Sequence, residues 1–301
     1  MPVFYHDVMY RKNTEEKDAA FLKLYDGRDW KWFAVRLKHT DMEYLRKHWS
    51  GKKASAPTLE KKHDKYFLRF TYAEEVSLSR TPVKEQTICS VDLGINTDAV
   101  CTIMRPDGTI LGRKFINFPS DKDRMYRVLG RIRRFQREHG SRQVQGRWAY
   151  AKRLNTELGK KIAREIVFYA SENRADVIVF EYLEMKGKLS GKKKQKLQMW
   201  RKRDIQKRCG QQAHRKGIRI SRICAWNTSR LAFDGSGKID RDIQDHRLCT
   251  FQNGKRYNCD LSASYNIGAR YFIREILKPL PATERSLLEA KVPAVKRRTS
   301  C

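Results

Sequence analysis

A single acid inside an apolar run is the feature that most constrains this fold. Asp92 lies within residues 90–96, after apolar residues that are typical of a buried strand. Ala99–Met104 predicts a second strand, residues 106–108 a turn, and Ile110–Ile116 a third strand, which together predict an antiparallel meander. A carboxylate buried in its first strand is costly unless a charge such as a divalent cation offsets it. Taken alone, Asp92 also fits an acid that caps a turn.

Two further acids stand at similar junctions. Residues 176–181 form a short apolar run that ends on Glu181, and Asp260 begins a predicted helix over residues 260–276. Three acids that open or close apolar elements, far apart in sequence, are what a divalent-metal site on a central sheet requires. Four other acids lack this setting, and we expect them to be loop acids: Asp98, Asp240, Asp242 and Asp245.

The segments around the three acids resemble a known family. VDLGIN, VIVFEYL and CDLSASYNIGAR are similar to the three active-site segments of RuvC-type nucleases. More narrowly, they resemble TnpB, the transposon-encoded RNA-guided nuclease, and its type V CRISPR effector relatives, over residues 85–275. The third segment follows the family pattern Asp-Leu-Asn-Ala-Ala-x-Asn-Ile, with Ser262 and Ser264 substituted. The resemblance implies that the catalytic acids and metal ligands are Asp92, Glu181 and Asp260.

The fold that this resemblance implies is α/β, an RNase H-like (RuvC) mixed sheet flanked by helices and preceded by a small β-rich, wedge-like segment. The order of the predicted elements agrees with it. After the meander we predict helices near 121–139 (capped by Ser120 or Asp121) and 144–173, a strand at 176–181, a basic helix at 200–214 and a strand at 217–224. The predicted domains are a partial wedge-like segment at 1–84 with strands at 30–37 and 66–72, a nuclease domain at 85–277 with an insertion at 225–258, and a loosely ordered basic tail at 278–301.

Mg²⁺ or Mn²⁺ is the expected cofactor. Two such ions about 4 Å apart can serve both ends of an in-line phosphodiester displacement. Mg²⁺ prefers hard oxygen ligands and keeps several waters, so a few carboxylates suffice. We expect Asp92 to bridge the ions, Glu181 to complete one site and Asp260 to hold the other.

A zinc ribbon of two Cys-x-x-Cys pairs stands between the last strand and the third acid in most members of the family. Here the expected cysteines fall on Ala232 and Gly235, and the second pair falls near Asn253 and Arg256. None of these side chains can bind zinc through a thiolate, so we expect no structural zinc. We expect the insertion to fold by packing of four aromatic side chains: Trp226, Phe233, Phe251 and Tyr257.

The charge of the chain indicates a polyanionic partner. Lys and Arg number 65 against 34 acids, a formal charge of +31 spread along 301 residues. Nucleic acid is the first candidate, and a ribosome-like structural protein or simple solubility is the alternative. The resemblance implies a DNA target and a guide RNA. The basic face of the helix after the meander and the Lys-rich loop at 186–196 are candidate phosphate contacts. No apolar run is long enough to span a bilayer, and seven irregularly spaced cysteines favour free thiols in a reducing compartment. The resemblance implies a prokaryotic, cytoplasmic, nucleoid-associated protein.

Three functions remain open at this stage. The first is a metal-dependent, RNA-guided DNA endonuclease. The second is an RNA-guided DNA binder or a cleavage-weak relic, which is favoured by the roughly 85 residues that precede the first acid, fewer than in the family. The third, a strand-joining transposase, shares the fold but has no support in these residues. Retention of Asp92, Glu181 and Asp260 favours the first.

Overall fold

The structure, a computed structural model, describes residues 2–62, 64–140, 144–182 and 201–291. The chain divides into two units, Met1–Glu75 and Val76–Cys301, and this division falls before residue 84, the end of the predicted wedge-like segment. The predicted basic loop at 186–196 lies outside the described residues. Within the described ranges, no helix is both long and apolar enough to cross a membrane.

The first unit is β-rich. Its first three strands form an antiparallel sheet in chain order: β1 (Tyr10–Lys12), β2 (Ala19–Tyr25) and β3 (Trp30–Arg36). Helix α1 (His39–Trp49) follows, and strands β4 (Thr58–Lys62) and β5 (Lys65–Arg69) form a hairpin. The predicted strands at 30–37 and 66–72 are thereby confirmed, although the second ends at Arg69. A small core fills this unit, and its buried members are Phe4, Tyr10, Ala20 and Leu22.

The second unit is built on a five-stranded mixed sheet. Its strands are β6 (Ile88–Asp92), β7 (Ala99–Met104), β8 (Ile110–Ile116), β9 (Val177–Tyr182) and β10 (Arg219–Cys224). Their order across the sheet is β10-β9-β6-β7-β8, with β6 to β8 antiparallel, β9 parallel to β6 and β10 parallel to β9. The apolar runs of β6, β7 and β9 are buried, whereas the edge strand β8 alternates between covered and exposed residues. The predicted meander and both later strands are confirmed.

Helices cover both faces of this sheet. The helices α3 (Gln145–Glu172) and α4 (Lys202–His214) pack on one face and α5 (Cys259–Leu277) on the other. Helix α2 (Pro119–His139) packs on α3, and α6 (Ala282–Lys291) follows α5 in the chain. Val91 and Phe180 belong to the core that α3 and α4 close. Ile88 and Val179, which point the other way, pack against α5. Alternate residues of each strand therefore serve different cores, and this fixes which side chains face α5.

Two sequence predictions about the helices were wrong, one on where α2 begins and one on the segment after α5. Helix α2 begins at Pro119, with Phe118 as the N-cap, because the fixed φ of proline suits the first helical position and its missing N–H costs nothing there. Asp121 therefore lies in the first turn, where its carboxylate accepts from Lys161 Nζ of α3 at 2.8 Å. The segment from Ala282 to Lys291 forms α6, where we had predicted a loosely ordered tail.

A short polar seam joins α5 to the sheet. The hydroxyls of Thr102 on β7 and Ser264 on α5 are 2.6 Å apart, and both side chains are buried. Ser90 also donates to the Thr102 carbonyl, at 3.3 Å. An alanine at position 264 would lack this hydroxyl and its hydrogen bond. Ser262 Oγ, in contrast, has no partner among the described residues.

The insertion after β10 folds around an aromatic cluster. Three short strands form an antiparallel sheet: β11 (Asp240–Arg241), β12 (Leu248–Thr250) and β13 (Arg256–Asn258). The ring of Phe233 lies 5.0 Å from those of Tyr257 and Tyr265 and 5.5 Å from that of Phe251, so it joins the insertion to α5. The prediction of aromatic packing is confirmed for these side chains, whereas Trp226 remains 39% exposed.

Close packing of α5 on the sheet yields a test. A Cβ at Gly268 would lie 2.8 Å from Met104 Sδ and 3.2 Å from Ser90 Oγ, both on buried side chains. We expect Gly268→Ala to lower the free energy of unfolding by about 1–3 kcal/mol, because overpacking outweighs the better helix propensity of alanine. Gly130→Ala on α2, where a Cβ meets nothing within 4 Å, should instead raise it. Urea unfolding of both variants checks this, and a stabilised Gly268→Ala would contradict it.

Candidate active site

Asp92 and Glu181 lie at the same edge of the sheet and face the same helix. β6 and β9 run parallel, with Ser90 opposite Val179. Two residues further along each strand stand Asp92 and Glu181, at the edge where parallel strands end. Since side chains alternate along a strand, these acids share the side of Ile88 and Val179, which pack against α5.

The third acid comes from α5 itself. Asp260 lies in the first turn of the helix, where the N-cap Asn258 accepts a hydrogen bond from Leu261 N at 2.9 Å. This cap fixes the start of α5 over the acid-bearing edge, and a carboxylate is favourable near a helix N-terminus. Asp260 thus lies at the start of the helix that packs against the sheet face shared by Asp92 and Glu181.

The charges of Glu181 and Asp260 act on Asp92. The pKa of Asp92 is raised well above its ordinary value, chiefly because the carboxylate is desolvated, and further because the charges of Glu181 and Asp260 lie near it. Arg241, on β11 of the insertion, opposes this rise. The insertion therefore places a cation near the acid-bearing edge.

Glu181 has its own set of partners. Its side chain is 9% exposed, and desolvation raises its pKa. Three groups oppose this rise, first a hydrogen bond that the Thr228 hydroxyl donates to Glu181 Oε1, and then the charges of Arg270 and Lys202. Asn266 holds the Thr228 loop in place, donating to the Thr228 carbonyl at 2.9 Å.

Residues of α4 contact β9, the strand that carries Glu181. Gln206 Nε2 donates to the Glu181 carbonyl at 2.9 Å, and its own side-chain oxygen accepts from Arg222 at 3.1 Å. Lys202 and Gln206 are both buried, and their spacing of four residues places them on one helix face. No sequence signal marks these two residues, Arg241 or Arg270, because each lies in a polar, basic stretch and only the fold places it near the acids.

The carboxylate oxygens of the three acids suit a hard divalent cation, although their present arrangement would not coordinate one. Carboxylate oxygens are the ligands that Mg²⁺ and Mn²⁺ prefer, and a cation would remove the repulsion that raises the pKa of Asp92. Among the described residues, no three His, Cys, Asp or Glu side chains are arranged to hold a metal ion. Glu181 Oε1 is meanwhile engaged by Thr228. Metal binding by all three acids thus requires side-chain movement at this edge.

The neighbouring acid Asp98 has a structural role. Its side chain is buried, pairs with Lys122 at 3.0 Å and accepts from Phe118 N at 2.9 Å, so it anchors the start of α2. The turn between β6 and β7 is also tight, because a Cβ at Gly94 would lie 2.5 Å from the Thr97 carbonyl oxygen. Asp98 lies in the turn between β6 and β7, as expected for a loop acid.

Comparison with known proteins relates the fold to nucleases. No protein family matches the chain, and no curated protein matches it either. Among solved structures, a Cas12f1–sgRNA–target DNA complex is 18% identical, with a TM-score of 0.50, over 69% of this chain and 54% of that one. The mini-RNA-guided endonuclease Cas_phi3 is 12% identical, with a TM-score of 0.54, over 83% of this chain and 57% of that one.

At these identities the likeness is one of fold. The chain is a mixed α/β protein whose sheet and helices are similar to those of Cas12 nucleases. It spans a little over half of the length of each of these two structures.

The raised pKa of Asp92 predicts a gain in stability when its charge is removed. Because the folded state binds a proton at Asp92 more tightly than the unfolded chain does, the free energy of unfolding falls as the pH rises from the ordinary Asp pKa through the raised one. In chelator at neutral pH, Asp92→Asn should therefore raise the Tm by roughly 2–4 °C for each kcal/mol gained. The gain should shrink as the pH falls towards about 3.9.

Asp107→Asn is the control with the opposite sign. Asp107 is a turn acid whose pKa is lowered, mainly by the backbone N–H of Thr109, so its removal should not stabilise the fold. The Tm of both variants and of the wild type, measured across the pH range, tests the prediction. An Asp92→Asn protein no more stable than the wild type would show that this charge is already compensated.

Proposed function

We propose that this chain is a divalent-metal-dependent DNA endonuclease of the RNA-guided TnpB type, with an RNase H-like (RuvC) nuclease domain. Its partners are a DNA target and a guide RNA, and its cofactor is Mg²⁺ or Mn²⁺. One observation carries the proposal: Asp92 and Glu181 share one edge and one face of the sheet, and both Glu181 and Asp260 raise the pKa of Asp92. An antiparallel meander extended by two parallel strands, with helices on both faces, supports the RNase H-like assignment.

Asp92 in the central strand, Glu181 on the neighbouring strand and Asp260 at the start of α5 would hold the cations. When bound, the cations supply an activated water and stabilise the leaving oxygen. Thr228 orients the carboxylate of Glu181, and Arg241 offsets the negative charge near Asp92.

The surface of α2 suits the backbone of a nucleic acid. Its arginines at four turn-spaced positions are exposed, as the sequence predicted: Arg127, Arg131, Arg134 and Arg137. Exposed arginines along one helix form an electrostatic footprint for phosphates. The likeness in fold to structures of sgRNA-bound nucleases supports a guide RNA as one of the partners.

A binder that does not cut is the second candidate. It is favoured by the arrangement of the acids, since no three ligating side chains among the described residues are positioned for a metal ion. It is also favoured by the hydrogen bond that engages Glu181. This candidate shares the guide RNA and the DNA target with the first and differs only in the chemistry.

Substitution of the acids tests the nuclease. With Mg²⁺ or Mn²⁺ and the RNA that co-purifies, we expect cleavage of a matching DNA target. Asp92→Ala, Glu181→Gln and Asp260→Asn should each lower the cleavage rate by about 100-fold or more, because each removes a ligand oxygen or its charge. Asp107→Asn, at the turn between β7 and β8, should cut like the wild type. DNA binding should survive in all four variants, because the basic surface is unchanged.

The two candidates separate clearly in this experiment. Cleavage that depends on all three acids supports the nuclease. Tight binding of guide and target without any cleavage, in either metal, selects the binder. Cleavage that persists in Asp92→Ala would remove the acid site from the proposal altogether.

Salt dependence tests the electrostatic part of both candidates. A protein that makes about 6–10 phosphate contacts loses roughly 10³–10⁵ in affinity between 50 and 200 mM salt. We expect a steep slope of this kind from a chain of charge +31. Replacing the four exposed α2 arginines with glutamine should reduce the slope of log affinity against log salt concentration by the amount expected for up to about four phosphate contacts. Fluorescence anisotropy at several salt concentrations measures it, and an unchanged slope would show that α2 does not contact the phosphates.

A further inference from the structure

A buried hydroxyl at the acid-bearing edge has two hydrogen-bond acceptors. Thr228 is 2% exposed, and its hydroxyl donates to Glu181 Oε1. The carbonyl oxygen of Ala225 lies 3.3 Å from the same hydroxyl and can accept from it as well. Because a hydroxyl carries a single proton, Thr228 can donate fully to only one of the two oxygens. The side chain therefore has two hydrogen-bonded states.

The backbone around Thr228 is held in place by α5. Asn266 Nδ2 donates to the carbonyl oxygens of Thr228 and Leu231, at 2.9 and 2.8 Å. Asn266 lies on the same helix as Asp260, so these bonds fix the Thr228 loop relative to that acid. A change from one acceptor to the other thus requires rotation of the hydroxyl and no movement of the loop.

Glu181 is the acid that a neighbouring side chain engages. Among the hydrogen bonds between described residues, none involves the carboxylates of Asp92 or Asp260, whereas Glu181 accepts from Thr228. In this arrangement the described side chains do not offer three ligating groups to one metal ion. The contact of Glu181 with Thr228 is therefore the one that competes with a metal ion for a carboxylate of this site.

Release of Glu181 leaves no polar group of this pair without a partner. The Thr228 hydroxyl keeps an acceptor in the Ala225 carbonyl, and the charges of Arg270 and Lys202 still act on Glu181. A buried donor that loses its acceptor is costly, and this exchange avoids that cost. A cation can therefore shift the two side chains from one state to the other.

We propose that Thr228 is a positioning residue that sets the affinity of the acid site for its divalent cation. In the metal-free state its hydroxyl holds the carboxylate of Glu181, and in the metal-bound state it donates to the Ala225 carbonyl instead. The inference rests on the proposed function, because it concerns the cation that the three acids would hold. Since coupling of this kind is reciprocal, a variant that removes the hydrogen bond to Glu181 favours the cation.

Binding of Mn²⁺ in the absence of nucleic acid tests this inference. Free Mn²⁺ is measured by electron paramagnetic resonance in titrations of the full chain. We expect Thr228→Val, which keeps the volume and removes the hydroxyl, to bind Mn²⁺ roughly 10-fold more tightly. The variant loses a strong bond to a charged group in the metal-free state and only a weaker, neutral bond in the metal-bound state. Thr228→Ser should restore the wild-type affinity.

Two control variants show where the ion binds and what the hydroxyl contributes. Asp92→Asn should weaken Mn²⁺ binding, which assigns the measured ion to the acid site. Thr102→Val removes another buried hydroxyl, one that lies 2.6 Å from that of Ser264, and should leave the Mn²⁺ affinity unchanged. In chelator, Thr228→Val and Thr102→Val should both unfold at a lower Tm than the wild type, because each loses a buried hydrogen bond. A purely structural role for Thr228 would lower the Tm without tightening Mn²⁺ binding.

Unchanged or weaker Mn²⁺ binding by folded Thr228→Val would overturn the inference. If that variant does not fold, a crystal structure of the wild type with Mg²⁺ takes its place. Separation of Glu181 from the Thr228 hydroxyl in that structure supports the inference, whereas a retained hydrogen bond between them contradicts it.

The same measurements separate this inference from the proposed nuclease. Cleavage that depends on the three acids, together with an unchanged Mn²⁺ affinity of Thr228→Val, would leave the nuclease standing and overturn the role of Thr228. Tighter Mn²⁺ binding by Thr228→Val in a protein that does not cleave DNA would support the role of Thr228 and remove the nuclease.

Discussion

Two carboxylates at one edge of a parallel strand pair are desolvated, and the surrounding side chains must offset the cost of their charges. Asp92 and Glu181 both have a raised pKa, and in each case desolvation is the largest cause. An unpaired buried charge is expensive, so the fold must supply compensation from several directions. Thr228 donates a hydrogen bond to Glu181, and the charge of Arg241 acts on Asp92.

This compensation comes from parts of the chain that otherwise look unrelated. The Thr228 loop and β11 belong to the insertion, Lys202 and Gln206 to α4, and Arg270 to α5. Each contributes one polar group to an edge defined by two strands. The site is therefore a property of the packed unit, and the insertion contributes Thr228 and Arg241 to it. The aromatic cluster around Phe233 holds the insertion against Tyr265 of α5.

Much of the second unit could be predicted from sequence, for a physical reason. β6, β7 and β9 are apolar runs bounded by turns, and apolar residues at helical spacing follow Asp260 in α5, so local patterns indicate the positions of these elements. The helix start at Pro119 and helix α6 were missed, since a charged, proline-flanked segment gives the same local signal for helix and loop. Buried Lys202 and Gln206 could not be read as neighbours of Glu181, because only the packing of α4 on the sheet brings them there.

The position of α5 late in the chain has a consequence for folding during translation. The meander of β6, β7 and β8 needs only neighbouring residues, so it can form early on the ribosome, whereas β9 and α5 must be added across long stretches of chain. Asp260 reaches the acid-bearing edge only after the insertion has been synthesised and α5 has docked. A nascent chain therefore holds the first acid long before the third, and the acid cluster can assemble only once translation has passed residue 260.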